Sequence, residues 1–250
     1  MTNKVAIILS GCGVYDGSEV HEASACCVAL SRAGKQVVFY SLDNGKTFSI
    51  IFTINFYTFG TVLDNSDQHH VIDHTSGQSQ EESTRNARIE AGRIARGPVL
   101  ALSDLNIEEV EAVVFPGGFG AAKNLSSFAH SAEPSVDGEV ARVIRECLEA
   151  AKPMALCCIA PILLALVLCK EDGKSIKLTL GQRTGEGWPY AATIDKAKEF
   201  GADVVEMNVD EVCVDEANKI VTTPAYMFDG SYFEIHDGVV KMIEAVLALL

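Results

Sequence analysis

Three stretches of the chain carry side chains whose types and spacing could do chemistry. The first runs from Pro153 through the uncharged, strand-like Met154, Ala155, Leu156 and Cys157 to Cys158, then through Ile159 and Ala160 to Pro161 and an apolar, helix-length segment at 162–168. Proline suits the first turn of a helix, where its missing N–H would have had no partner, so Pro161 marks a helix that starts just after Cys158. A cysteine at that junction meets unpaired amides and the positive end of the helix dipole, which favour the thiolate, the nucleophilic form. The same position also suits a buried cysteine acting as a small hydrophobe. The second stretch is Glu19, His21 and Glu22 in the first part of the chain. The third is Pro116-Gly117-Gly118-Phe119-Gly120. There Gly117 and Gly118 let backbone amides approach a bound oxygen closely enough to form an oxyanion hole, although two glycines after a strand also make an ordinary turn. The loop lacks both the Gly-x-Gly-x-x-Gly spacing of a dinucleotide site and the Lys-Ser/Thr of a phosphate loop, so no nucleotide cofactor is expected.

The elements that must position these groups follow from the hydrophobic pattern. Residues 5–10 form a β-rich apolar run that leaves through Gly11-Cys12-Gly13 and reads as a buried first strand. Asp16, with Glu19 three residues later, resembles a capping box, and Val20, Ala23, Cys27, Leu30 and Ser31 keep helical spacing to Gly34. Strands are predicted at 36–41, 111–115, 154–157 and 177–180, with a hairpin at 212–214 and 220–223. Helices are predicted at 83–96, 136–151, 191–200 and 232–250. Alternating strands and helices with near-continuous apolar strands indicate a single α/β domain over 1–250, a mostly parallel sheet with helices on both faces. In such sheets functional groups collect where strands end at their carboxyl edge, which is where all three stretches fall. Residues 44–67 break the pattern: Phe48, Ile50, Phe52, Ile54 and Phe56 alternate, and 47–63 carry no charge. This stretch is short of the roughly 20 apolar residues of a membrane span, and an inserted hairpin at the sheet edge, away from the active site, is the expectation.

Bulk properties narrow the partners. Acidic residues outnumber basic ones 34 to 20, a net charge of -14, which argues against a nucleic-acid backbone as partner. The eight cysteines, including adjacent pairs at Cys26-Cys27 and Cys157-Cys158, have the spacing of neither a disulfide framework nor a zinc site, so a reducing compartment is expected. The first residues carry no signal-peptide or presequence pattern. The expected location is the cytoplasm, or the mitochondrion if a presequence precedes this chain. Neither metal nor membrane is expected.

Taken together, residues 9–17 (LSGCGVYDG), His21-Glu22-Ala23, residues 115–125 (FPGGFGAAKNL), Cys158-Ile159-Ala160-Pro161 and residues 221–227 (VTTPAYM) resemble the ElbB-like glyoxalase branch of the ThiJ/PfpI, or class I glutamine amidotransferase-like, superfamily, which has mitochondrial relatives in eukaryotes. The resemblance covers nearly the whole chain outside 44–67. It implies a flavodoxin-like sandwich, a homodimer, a cysteine on a nucleophile elbow at Cys158 and a glutamate beside it from the first helix. Glu22 is the position that matches that glutamate, Glu19 being the cap, and Gly117 and Gly118 match the oxyanion loop.

The activity that the resemblance implies is a glyoxalase without cofactor, metal or glutathione, converting small dicarbonyls such as glyoxal and methylglyoxal to hydroxy acids. In it Cys158 attacks the aldehyde and Glu22 moves protons; desolvation and the neighbouring sulfur should raise the Glu22 pKa. His21, next to Glu22, could assist, although neighbours on a helix point about 100° apart. Ile159 follows Cys158 and no histidine lies between His130 and His236, so a Cys-His pair of the amidotransferase or protease kind is not expected. The alternative is a redox-sensing or partner-binding protein in which Cys158 is oxidised and turnover is incidental.

Overall fold

Charge-free apolar runs of four to six residues can bury both faces of a strand, and these runs build the centre of the molecule. The computed structural model describes residues 2–42, 48–54, 57–63, 71–80, 83 and 85–250. In chain order the elements are β1 (Lys4–Leu9), α1 (Val20–Arg32), β2 (Gln36–Ser41), β3 (Phe48–Ile54), β4 (Tyr57–Leu63), β5 (Ile72–Asp73), β6 (Gln78–Ser79), α2 (Ala87–Ala95), β7 (Leu100–Ala101), β8 (Ala112–Phe115), α3 (Gly120–Lys123) and α4 (Gly138–Glu149). There follow β9 (Met154–Cys157), α5 (Pro161–Leu164), β10 (Lys177–Leu178), α6 (Ala191–Glu199), β11 (Asp203–Val204), β12 (Cys213–Asp215), β13 (Ile220–Thr223) and α7 (Tyr232–Ala248).

Seven strands join in the order β12-β13-β9-β8-β1-β2-β7. All neighbours are parallel except β12 and β13, which form the expected hairpin. The chain leaves β1 toward β2 on one side and later returns to β8 on the other. That reversal opens a crevice beyond the carboxyl ends of β1 and β8, the usual place for a site in a doubly wound sheet. Helices cover both faces in a flavodoxin-like sandwich; α1 packs on α7, and α4 packs on the continuation of α5. Among the described residues no helix is long and apolar enough to cross a membrane.

Several local expectations change. Glu19, not Asp16, caps α1: its carboxylate accepts the Glu22 N–H at 2.7 Å. Asp16 instead accepts the backbone N–H of Ile72 at 2.8 Å, and its loop is closed by Gly17 N–H donating to Gly13 O at 2.7 Å. The helix predicted at 83–96 starts at Ala87, because the Asn86 side chain accepts the Ile89 N–H at 3.0 Å and caps it there. The helix after Cys158 runs on past Leu164 as a wider π-helical segment, Ala165–Glu171. Only Lys177–Leu178 of the strand predicted at 177–180 forms, and it pairs with β11 outside the seven-stranded sheet.

The stretch at 44–67 contains a hairpin, β3 against β4. It joins neither edge of the main sheet, which ends at β7 and β12, so the expected addition at the sheet edge is corrected to a separate two-stranded ladder. The rest of 44–67 lies outside the described residues. Immediately beyond, Val71 is buried and Ile72 is tied to Asp16. Closing a loop costs free energy that grows only logarithmically with its length. Replacing 44–67 with a short Gly-Ser linker should therefore leave circular dichroism and the cooperative thermal transition intact. Loss of that transition would place the segment in the folding core.

Candidate active site

β9 lies between β8 and β13 and ends at Cys157, which is aligned with Thr223. The next residue must turn sharply for Pro161 to begin α5, and Cys158 does so with φ 59°. Such left-handed backbone in a non-glycine residue costs on the order of 1–3 kcal/mol, and it persists only where surrounding structure dictates it. Here the Cys158 N–H donates to Thr223 O at 3.1 Å, extending the sheet's ladder through the turn. The result is a nucleophile elbow, with the sulfur receiving hydrogen bonds from the backbone N–H groups of Gly118 and Ile159.

Glu22 belongs to the stripe of α1 that faces the core together with Ala23, Cys26, Ala29 and Leu30, the spacing of a buried helix face. Its carboxyl is 0 % exposed. Tyr226 N–H donates to Oε1 at 3.1 Å, Gly117 N–H donates to the same carboxyl, and the Cys158 side chain is hydrogen-bonded to it. Burial, and then the negative charge of Glu19, push the Glu22 pKa up to about 8, against the pull of these hydrogen bonds. At neutral pH the carboxyl is therefore mostly protonated, as expected from its burial, but the charge that adds to this is that of Glu19 and not the neighbouring sulfur, since the Cys158 hydrogen bond lowers the pKa.

The expectation of a resting Cys158 thiolate is not met. Burial, followed by the Glu22 charge, pushes the thiol well above its ordinary value, and the Gly118 and Ile159 amides pull it back only in part. A helix dipole acts near its terminus, whereas desolvation acts on the whole charge and dominates here.

The two glycines divide their work. Gly117 N–H serves Glu22 and Gly118 N–H serves Cys158, so the amide pair at the sulfur is Gly118 with Ile159 rather than Gly117 with Gly118. A Cβ on Gly117 would run into Cys158 Cβ and Glu22 Oε2, and one on Gly118, at φ 98°, into Gly17 O and Glu19 N. Both positions must stay bare for the site to close.

His21 lies on the solvent side of α1 and bonds Glu19 Oε1 at 2.9 Å. It reaches the site through Glu19 and does not stand beside Cys158 as an assisting base. Tyr226 and Ile159, absent from the sequence-based site, contribute through their amides. Ala225, at φ 45° just after Pro224, turns the Tyr226 N–H inward. The other member of the adjacent pair, Cys157, is fully buried, and its S–H donates to Glu22 Oε2 at 3.7 Å.

A cleft of about 650 Å³ opens next to the pair. Glu19, Tyr190 and Tyr226 line it, and each is in electrostatic contact with Cys158 or Glu22; Glu22 is fully enclosed, whereas Cys158 keeps 7 % exposure. Among the described residues no cluster of three His, Cys, Asp or Glu side chains is arranged to hold a metal ion.

Protonation of Glu22 has a consequence for stability. Its folded pKa of about 8 lies above the ordinary 4.5, so the native state keeps a proton that the unfolded chain releases. The stability linked to this proton is complete below about pH 4.5 and is lost as pH rises through about 8. Relative to Glu22→Gln, which has no such proton, the parent protein should lose melting temperature steadily across that interval. Parallel melting curves for the two proteins would show that Glu22 ionises normally.

No protein-family model matches the chain. It is 44% identical over 249 residues to human glutamine amidotransferase-like class 1 domain-containing protein 3, mitochondrial, with 98% of this chain and 83% of that protein covered. Among solved structures, an isoprenoid biosynthesis protein with an amidotransferase-like domain from Ehrlichia chaffeensis superposes with a TM-score of 0.81 at 27% identity, covering 99% of this chain and 100% of that one. Drosophila melanogaster DJ-1beta shares the fold with a TM-score of 0.51 at 15% identity, covering 100% and 96%. By sequence over nearly its full length, the chain belongs to the glutamine amidotransferase-like class 1 domain family, and it shares its fold with DJ-1beta.

Proposed function

We propose that the protein is a cofactor-independent, glyoxalase-type enzyme that converts small 1,2-dicarbonyls such as glyoxal and methylglyoxal to hydroxy acids. The observation that carries this reading is the buried pair of Cys158 and Glu22, hydrogen-bonded to one another, with the Gly118 and Ile159 amides at the sulfur. The reactive state holds one proton between the two groups. In it the sulfur adds to the aldehyde carbon while the Glu22 carboxyl gives its proton to the aldehyde oxygen, forming a hemithioacetal. The Gly118 and Ile159 amides support the oxygen as charge develops. The Glu22 carboxylate then removes the C–H proton of the former aldehyde to give an enediolate and returns it to the adjacent carbon, while the hydroxyl proton passes from the first oxygen to the second, giving a 2-hydroxyacyl thioester. Water hydrolyses the thioester to the hydroxy acid and restores the thiol. One carbon is oxidised and its neighbour reduced, so no external electron acceptor is needed.

Amide hydrolysis, suggested by the name of the human relative, calls for a base beside Cys158 that is free of its proton at neutral pH. In the amidotransferase and protease pattern that base is a histidine, and here Ile159 follows Cys158 while His21 is bonded to Glu19 rather than to the sulfur. For location we propose the mitochondrion, the compartment printed in the human relative's name; nothing supports the cytoplasmic expectation. A redox role has one observation in its favour: protonated Glu22 and the two amides would all donate to the oxygens of an oxidised Cys158 sulfur. Mass spectrometry of Cys158 after mild peroxide, set beside turnover on glyoxal, separates the two readings.

Turnover on glyoxal should vanish in Cys158→Ala and fall at least about a hundredfold in Glu22→Gln, the scale for losing a positioned proton-transfer group. Cys157→Ala should do far less. An unchanged rate in Glu22→Gln would remove Glu22 from the reaction. Because the doubly protonated pair must first lose a proton, kcat/KM should rise with pH and level off above an apparent pKa of about 8 that belongs to the pair. A flat profile between pH 6 and 9 would contradict this.

A further inference from the structure

The cleft beside the pair is much larger than a two- or three-carbon dicarbonyl requires. Its volume, about 650 Å³, falls in the range of about 300–1,000 Å³ that encloses much larger ligands. Aromatic rings line it in two groups. Tyr15, Phe119 and Tyr190 follow one another with centroids 6.5 and 6.4 Å apart, and Tyr226 and Tyr232 flank His21 at 6.3 and 4.8 Å. The fixed charges that line it are the carboxylates of Glu19 and Asp229. Glu19 is occupied by His21 and the Glu22 amide, whereas Asp229 is exposed at the rim. Ring faces attract cations; the Phe119 ring already holds one, the Lys123 ammonium 5.7 Å from its centroid, which leaves Tyr190, Tyr226 and Tyr232 for a ligand. The net charge of -14 adds to the preference for a positive ligand over an anionic one. A further polar group awaits a partner, since the Tyr226 hydroxyl is buried with no hydrogen-bond partner among the described residues.

We propose that the site takes a dicarbonyl with a cationic, ring-sized tail, its reactive carbonyl at Cys158 and its ammonium between the aromatic walls and Asp229. The Tyr226 hydroxyl donates to an oxygen of the ligand near the reacting carbon. This rests on the glyoxalase-type reading for the reaction, but the recognition of the tail stands on the cleft alone. Tails ending in carboxylate or phosphate are disfavoured by Asp229 at the rim, Glu19 being taken up by His21 and the Glu22 amide.

The test separates recognition from chemistry. Full-length Cys158→Ala protein, which cannot react, is titrated by calorimetry with benzyltrimethylammonium and, separately, with phenylacetate. The ammonium should bind at least about tenfold more tightly, on the scale of a desolvated cation–π contact. Asp229→Asn and Tyr190→Ala should each weaken it several-fold, and in the parent protein the ammonium should compete with methylglyoxal. Equal or tighter binding of phenylacetate, no measurable binding of the ammonium, or ammonium binding indifferent to both substitutions would overturn the proposal. Turnover of glyoxal without ammonium preference would remove this proposal and leave the reaction standing. Ammonium preference without turnover of any dicarbonyl would remove the reaction and leave the cleft's selectivity.

Discussion

A carboxyl group buried at the carboxyl edge of the sheet, with a second carboxylate, a thiol and backbone amides as its neighbours, governs how the rest of the site is built. Glu22 is completely enclosed, and the formal charge that raises its pKa is that of Glu19. Ionising such a group is unfavourable unless donors surround it, so the protein holds it neutral and gives it amides from two loops. Gly117 must be bare so that its N–H and the elbow can both reach the carboxyl. Ala225 adopts left-handed backbone and presents the Tyr226 N–H from the opposite side. Glu19 both caps the helix that carries Glu22 and raises its pKa, so one residue links the stability of α1 to the protonation of the site.

Two non-glycine residues with positive φ, Cys158 and Ala225, flank this carboxyl. Each follows a strand of the central sheet, and the strands are locked together by parallel pairing from Met154 with Ile220 to Cys157 with Thr223. Backbone strain concentrated at the ends of rigid strands is what keeps a thiol and a carboxyl in register without a flexible loop. The fully buried helix that follows, with every residue from Pro161 to Cys169 inside the molecule, anchors the elbow from behind. The rigidity therefore comes from the apolar core, and the reactive groups are carried at its edge.

Much of this was legible in the chain. The runs at 5–9 in β1, at β8 and at β9 are free of charge because both faces are covered, and Pro161 dates the turn after Cys158. Glu22 could also have been found from pattern alone: it shares a helical stripe with Ala23, Cys26, Ala29 and Leu30, where a carboxylate has no structural reason to be. The cap of α1 was harder, since Asp16 and Glu19 are both good acceptors. The choice is made by Ile72, whose N–H engages Asp16 across 56 residues of sequence. Ile159 and Tyr226 act through backbone amides, which residue type does not reveal. The state of the Cys158 thiol was misjudged for the same reason, because a local argument from a helix end omits the burial and charge that distant segments bring.

The central claim is that Glu22 stands protonated beside Cys158 at neutral pH. Infrared difference spectroscopy with carboxyl-labelled glutamate, comparing the parent protein with Glu22→Gln, measures it directly. The account predicts the carbonyl band of a neutral carboxylic acid at pH 7, absent from the variant and converting to carboxylate as pH passes through about 8. Carboxylate bands for Glu22 already present at pH 6 would contradict it.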